Sequence, residues 1–423
     1  MDLGLIPGGV NTRHWETDLL SVSLSQLAMA PNAHNADVPM ADTESRESVP
    51  LSNRKALMSK VLPRENPPFT VADLRRVVPD HCFEPTLRES FYHLAKDLAE
   101  LALYMGIMIY LDTPLYQFSP IVWGLGWLAY TLMQGVTFTA VWVIAHECGH
   151  GAFSKSWLIN DTVGYIFHTA LSVPYFSWQH THSNHHHYTN NLQKDEVFVP
   201  RQRSQVELTS AYKTVKNPVS VFIQLVFMLL VGWPLYLLIN TSGHVTDSFS
   251  SHFLPTSPIF TKKEQLKVVA SAVGLLGWWY CLSLFGAALG SGLVLRLYLL
   301  PLIVNNCFLV AITYMQHTHV DVPHYEDHEW NWLRGALCTV DRTMGAYLDE
   351  KLHLIHVTHV LHHTFSRIPF YRSREASAPI VKVIGKYYHK DDTNFLLSMW
   401  RAANDCIFLE EGKGILFWLT ETH

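Results

Sequence analysis

Long apolar runs and short histidine-rich polar stretches alternate along this chain, and that alternation sets the expected elements. Residues 1–60 hold no long apolar run, and Ala28 to Asn53 is rich in Pro, Ser, Asp and Asn, so a disordered or weakly ordered tail is expected over residues 1–68. From Phe69 to His93 the pattern is amphipathic, and Thr70-Val-Ala-Asp73 reads as a capping-box variant opening a helix. Leu94 to Leu111 is a first, marginal apolar span, with Lys96, Asp97 and Glu100 at its start. Ile121 to Ala145 is a second span, long enough for a hydrocarbon core of about 30 Å. Asp112-Thr-Pro and Ser119-Pro are expected to break the chain between them, making a helical hairpin. Leu158 to Tyr175 is shorter and carries Asn160, Asp161 and His168, which predicts an interfacial element.

Three further apolar runs follow: Val219–Ile239, interrupted by Gly232-Trp-Pro, then Val268–Leu289 and Leu293–Met315, joined by Gly290-Ser-Gly. The polar stretches flanking these runs decide how many of them cross. His146-Glu-Cys-Gly-His150 ends the second span, His182-Ser-Asn-His-His186 follows it, and His359-Val-Leu-His-His363 lies near the C-terminus. If the three clusters share one site, the number of crossings between His186 and His359 is even. The Gly290 turn makes the last two runs a tight hairpin, so Val219–Ile239 is the segment assigned as interfacial or re-entrant. The fold expected is an all-α membrane protein. It has about four transmembrane helices in two hairpins and a cytosolic helical cap, with the membrane domain covering residues 69–423.

Helical geometry gives the clusters chemical meaning. His146 and His150, four apart, share a helix face. With His182 at zero, His185 falls at about 300° and His186 at about 40°, for an advance of about 100° per residue. His359, His362 and His363 repeat the pattern. His180 falls at about 160° and His187 at about 140°, off that face, and both are expected behind the ligands together with Glu147. His356 projects at about 60°, on the face of the third cluster, and is placed in the same supporting role. Chance is a weak explanation: 25 His in 423 residues predict roughly 0.09 matches to His-x-x-His-His, and the chain has two.

Imidazole binds iron, zinc, copper and nickel. Eight spaced imidazoles exceed one tetrahedral zinc and suit two metal ions. His-Glu-x-x-His alone also fits an intramembrane zinc metalloprotease with Glu147 as base, which leaves the other two clusters without a task. A metal transporter would place its polar groups near the bilayer midplane, whereas these flank the spans.

Composition narrows the class further. Hydrophobic residues make up 48% and charged residues 16%, with 13 Trp and 18 Tyr suited to membrane interfaces. A net charge of −5 argues against a nucleic-acid partner. The six scattered cysteines have no paired spacing, which fits a reducing face.

The three boxes, their order and their placement resemble the membrane fatty acid desaturase family, and within it the microsomal Δ12 (oleate) type in its fungal form. Supporting stretches are Val78-Pro-Asp-His-Cys-Phe-Glu, Asp195-Glu-Val-Phe-Val-Pro, Gly232-Trp-Pro-Leu-Tyr-Leu, Ile312-Thr-Tyr-Met-Gln-His-Thr, Thr358 to Pro369, and Glu410-Glu-Gly-Lys-Gly-Ile-Leu-Phe. The chain departs from the family pattern at Gly151, where Gln is usual, at Thr364, where Leu is commoner, and at Arg372-Ser-Arg-Glu, in place of His-Ala-Glu-Glu. The resemblance implies a multi-pass enzyme of the endoplasmic reticulum membrane with a cytosol-facing site. Two Fe ions would be held by His146, His150, His182, His185, His186, His359, His362 and His363, with His317 as a further ligand. The implied reaction uses O2 as co-substrate to insert a Δ12 double bond into an oleoyl-type chain, carried on phospholipid or coenzyme A. A separate cytochrome b5 and its reductase would be the electron donors. Acetylenases, hydroxylases and secondary-pathway desaturases share the same boxes.

Overall fold

The computed structural model describes residues 62–205, 217–244 and 246–419. The expected tail at 1–61 lies outside the described residues. Residues 62–68, assigned to that tail from sequence, instead pack on the C-terminal part. The Leu62 N–H donates to the Asp321 carbonyl at 3.1 Å, and its side chain is buried with Val322, Tyr325, Cys338 and Val340.

Helix α1 (Val71–Val77) opens with the expected capping box. The Asp73 N–H donates to Thr70 Oγ1 at 3.3 Å, and the Thr70 N–H donates to Asp73 Oδ2 at 2.9 Å. Two long helices follow, α2 (Leu87–Phe118) and α3 (Pro120–His150). Only Ser119-Pro120 breaks the chain between them, Pro120 taking the first helical position, where no N–H is needed. Asp112-Thr-Pro does not end α2 as expected: Pro114 lies inside it. One neighbouring anchor is Asp112, whose Oδ1 accepts from the Trp123 and Trp127 indoles of α3 at 2.7 and 2.8 Å. At the other end, the two carboxylates that crowd the start of the first span are paired. Lys351 Nζ reaches Asp97 at 2.9 Å and Glu100 at 2.7 Å, and His353 Nε2 reaches Asp97 at 2.6 Å.

Helices α4 (Trp157–Ala170) and α5 (Tyr175–Tyr188) are short, as the interfacial pattern predicts. Then come α6 (Pro218–Ile239), α7 (Gln265–Leu289) and α8 (Ser291–His317), the last containing a π-turn at Leu295–Leu299. Gly290, at φ +94°, takes the left-handed turn between α7 and α8. Helix α8 lies close against α3, where a Cβ on Gly135 would sit 2.4 Å from Val304. Tyr130 donates to the Leu297 carbonyl at 2.9 Å.

Among the described residues, four helices are long and apolar enough to cross a membrane: α3, α6, α7 and α8. This set differs from the expected one. Helix α2 falls outside the observed set, and α6 falls within it, Pro234 sitting inside a continuous helix where a break was expected. The packing of α6 nevertheless separates it from the others. Its Val221 and Leu225 join Met315, Met399 and Ala402 in one buried cluster, beside His317. At its far end Tyr236 OH donates to Thr181 Oγ1 at 3.2 Å, one residue from His182. Between these contacts, Gly232 faces Val310, about 10 Å along α8 from His317 at 1.5 Å per residue. Both ends of α6 therefore lie at the histidine end of the helices. Helix α2, by contrast, runs antiparallel to α3, with Leu94 against Ile144 and Cys148, and Met108 against Trp127.

Beyond α8 the chain forms a compact cap. Its elements are α9 (Trp332–Ala336), α10 (Ala346–Lys351), α11 (His359–Thr364), α12 (Phe370–Ile384) and α13 (Phe395–Asp405). Short strands tie it together: His324–Tyr325 pairs antiparallel with Ile415–Leu416, and Asp341–Arg342 parallel with Lys390–Asp391. The departures at 372–375 are tied down by ion pairs. Arg372 meets Glu89 at 3.0 Å, Arg374 meets Glu350 at 2.7 Å, and Glu375 meets His81 at 2.8 Å.

Candidate metal centre

Four elements deliver the histidines. Helix α3 brings His146 and His150 on adjacent turns and stops at once, because Gly151 adopts a left-handed conformation at φ +73°. A Cβ there would lie 3.0 Å from the Trp157 ring, which gives this position its own reason for glycine. Helix α5 presents His182, His185 and His186, and α8 ends on His317. Helix α11 carries His359, His362 and His363, its first turn fixed by the Val360 N–H donating to Asp341 Oδ1 at 2.8 Å.

These nine imidazoles meet in one buried cage. The ligating atoms of His146, His150, His182, His186 and His362 lie within 4.8 Å of one another, and so do those of His185, His317 and His363. His359 Nε2 is 3.2 Å from His317 Nε2, joining the second group. The groups touch where His186 stacks on His363, with ring centroids 4.0 Å apart.

Orientation separates this cage from ordinary core histidines. Three side chains have tautomers set by their partners. His185 Nδ1 donates to Asp195 Oδ1 at 2.6 Å, and His359 Nδ1 donates to the Ile355 carbonyl at 3.0 Å. Thr189 uses its hydroxyl hydrogen on the His185 carbonyl at 2.7 Å, so it accepts from His363 Nδ1 at 3.1 Å. Each of these three therefore turns an Nε2 lone pair inward, the arrangement a metal ligand needs. His362 Nε2, His363 Nε2 and both nitrogens of His186 are buried without a hydrogen-bond partner. Burial also depresses the pKa of His182, His186, His362 and His363 well below the usual imidazole value, and that of His359 to about 3, keeping them in the neutral ligating form.

The spacing fits metal ions. His146, His150 and His182 place their Nε2 atoms 3.2, 2.9 and 3.0 Å apart. A metal about 2.1 Å from each nitrogen sets neighbouring donors about 3.0 Å apart at right angles and about 3.4 Å apart in a tetrahedron. The observed edges match the right-angled arrangement, and five donors in one group exceed a closed tetrahedral zinc.

The supporting residues divide. Glu147 is buried beside His146, with Oε1 3.7 Å from Nδ1, while its Oε2 accepts the Phe370 N–H at 3.1 Å. That backbone bond ties up the carboxylate which a His-Glu-x-x-His protease would use as base. His180, expected behind the ligands, meets Asn184 at 3.3 Å and packs near Phe260. His187 is exposed against Tyr188, away from the cage, because its helix face points outward. His356 does not share the α11 face: the helix starts at His359, and residues 353 and 354 have positive φ, so a uniform helical advance does not reach back to it. Its ring instead bonds Asp349 at 2.9 Å, while its carbonyl accepts from Gln316, next to His317, at 2.6 Å. Asp195 and Thr189, which orient ligands, do not stand out in the sequence pattern. Thr189 sits one turn beyond His185, at i+4, and is the one a helical projection could find.

An apolar cavity opens onto the cage. Its walls include Trp142, Trp178, Trp233, Tyr236, Leu309 and Ile312, and it reaches His146, His182, His185, His317 and His359. A metal-dependent enzyme that works on a long apolar chain at a membrane is the class this arrangement defines.

Comparison with known proteins agrees. The family described as fatty acid desaturase matches residues 121–394. A Delta(12)-oleate desaturase of Trichosanthes kirilowii is 47% identical over 364 residues, 84% of this chain and 97% of its own length. An oleoyl-12-hydroxylase of Ricinus communis is 42% identical over 367 residues, 85% of this chain and 92% of its own. An omega-6 fatty acid desaturase, endoplasmic reticulum isozyme 1, of Glycine max is 43% identical over 362 residues, 85% and 91%. This chain belongs to the fatty acid desaturase family, and it is a metal-dependent oxidoreductase that associates with membranes and acts on fatty acyl lipid.

Proposed function

We propose that the chain is an endoplasmic-reticulum Δ12 desaturase converting oleoyl to linoleoyl lipid at a di-iron centre. The observation that carries this reading is the convergence of nine inward-facing imidazoles on the end of an apolar cavity. His146, His150, His182, His186 and His362 would hold one iron, and His185, His317, His359 and His363 the other. When bound, the pair would supply four-electron reduction of O2 to two waters, two electrons and two protons coming from the two C–H bonds of adjacent methylenes and the other two electrons from the donor with two protons from solvent. A membrane-bound cytochrome b5 with its reductase is the class of donor that fits the electron demand.

The chain's own residues supply binding and orientation. Trp142, Trp233, Tyr236 and Ile312 give the acyl chain a dry apolar wall beside the ligands. Asp195, Thr189 and the Ile355 carbonyl hold three rings in register.

Topologically, we read α2, α3, α7 and α8 as the spanning helices and α6 as lying in the cytosolic leaflet, since both of its ends pack beside the cage. Helix α2 runs alongside α3 for most of its length and so crosses with it, its charges lying at the cap end except for Asp112, which meets Arg296 at the other end.

Expression in a yeast that makes only monounsaturated lipids tests the reaction. Gas chromatography is expected to show linoleate, dependent on O2. A 12-hydroxylated product would assign the chain to hydroxylation, and no oxygen-dependent change in the acyl chains would sink the reading.

A further inference from the structure

Besides the histidines, the cavity wall carries polar groups that the chemistry above does not use. Arg201 is the single permanent charge among the described residues lining it. Its Nη2 is buried with no hydrogen-bond partner. Trp418 lines the same cavity, is 7% exposed, and its Nε1 is likewise buried and unpartnered. The two flank the same backbone segment: the Leu409 N–H donates to the Arg201 carbonyl at 2.8 Å, and Leu409 bridges Trp418 on its other side. Gln224 faces the cavity from α6, adding a carboxamide to this wall.

A buried guanidinium N–H and a buried indole N–H with nothing to bond each carry an uncompensated desolvation cost. An anionic acceptor would remove both costs at once. Guanidinium geometry favours carboxylate and phosphate. An acyl chain whose reacting methylenes sit at the cage has its carrier group elsewhere along the cavity, and the carriers of membrane acyl chains bear phosphate.

We propose that Arg201 and Trp418 form a phosphate subsite, which binds the phosphate of the acyl carrier and so fixes the substrate's position along the cavity. The inference rests on the reading of the cavity as an acyl site. Phospholipid and coenzyme A thioester share the phosphate, and the test separates them.

The purified full-length protein is offered oleoyl-lysophosphatidylcholine, oleoyl-coenzyme A or monooleoylglycerol, the last without phosphate, and equilibrium affinities are measured at matched mole fraction in detergent. At least one phosphate-bearing carrier is expected to bind tenfold or more tighter than monooleoylglycerol. Arg201→Ala should erase that preference, Arg201→Lys should keep part of it, and Trp418→Phe, which keeps an aromatic ring but removes the N–H, should lower it severalfold. Preference for the lysophospholipid assigns a lipid headgroup, and preference for the thioester alone assigns the nucleotide carrier. Equal binding of all three, or a preference that survives Arg201→Ala, would overturn the proposal. Turnover is scored separately: protein that discriminates the carriers but forms no diene keeps the subsite and loses the desaturase reading.

Discussion

At the scale of single residues, activity depends on which imidazoles face the metals. His317 is the informative case, because it belongs to no repeated box and ends a helix, where a histidine could simply cap carbonyls. Its Nε2 lies 3.2 Å from both His185 Nε2 and His359 Nε2, inside the cage. His319, two residues on, faces elsewhere and meets His389 at 3.0 Å. His317→Ala is expected to lower iron content and abolish desaturation while the protein still inserts, whereas His319→Ala keeps iron and turnover near wild type. Metal analysis of the two purified variants checks this. Asp195 makes a second test. Removing a carboxylate that orients a ligand typically costs about 10–100-fold in metal affinity. Asp195→Ala should lose iron to a chelator at concentrations roughly tenfold or more below those needed for wild type, whereas an unchanged chelation midpoint would leave Asp195 a purely structural partner.

These residues show what a sequence can and cannot carry. The eight box histidines are legible because helical spacing converts directly into a shared face. His317 is legible from its neighbours' resemblance to the family. Asp195 is visible in the sequence only as part of a matching stretch. It follows the ring it orients across a turn, and no periodicity links the two. His187 and His356 mark the limits of the projection, one correctly off the face but exposed, the other outside the helix altogether.

At the scale of elements, proline is where sequence and structure part most. Pro114 and Pro234 read as breaks in sequence, yet each sits inside a helix. Such prolines are tolerated in helices packed among others in an apolar medium. Helix α6 is long and apolar enough to cross, yet its two ends pack near Met315 and Thr181. That packing makes a topological prediction. A glycosylation tag placed near Ser251, in the loop after α6, should stay unmodified in microsomes if, as proposed above, α6 lies in the cytosolic leaflet. Modification of the tag would make α6 a full crossing. The native Asn240-Thr-Ser site is a poor reporter, since Asn240 is 4% exposed in the folded chain.

At the scale of the whole molecule, the long hairpin α2–α3 and the hairpin α7–α8 form a frame that is clamped at both ends. Opposite the cage, Arg296 of α8 lies over Trp123 and Trp127 of α3, at 5.2 and 4.7 Å, and faces Asp112 of α2 at 3.9 Å. Beside the cage, Lys351 and His353 of the cap grip Asp97. The third box is thereby held against the first two, although the whole α6–α8 region separates them in sequence, which is why the cage needs a cap and two hairpins. The fold class and this convergence are readable from the apolar runs and the boxes. The clamps are not, because each joins residues remote in sequence that have no shared pattern.

The central claim is that one chain holds two irons. Metal content of the purified, full-length protein tests it most directly, by elemental analysis against protein concentration. The expected result is about two irons per chain and little zinc, as nine imidazoles in two groups require more than one tetrahedral ion can use. A single tightly held zinc per chain, with iron absent and O2 not consumed, would contradict it.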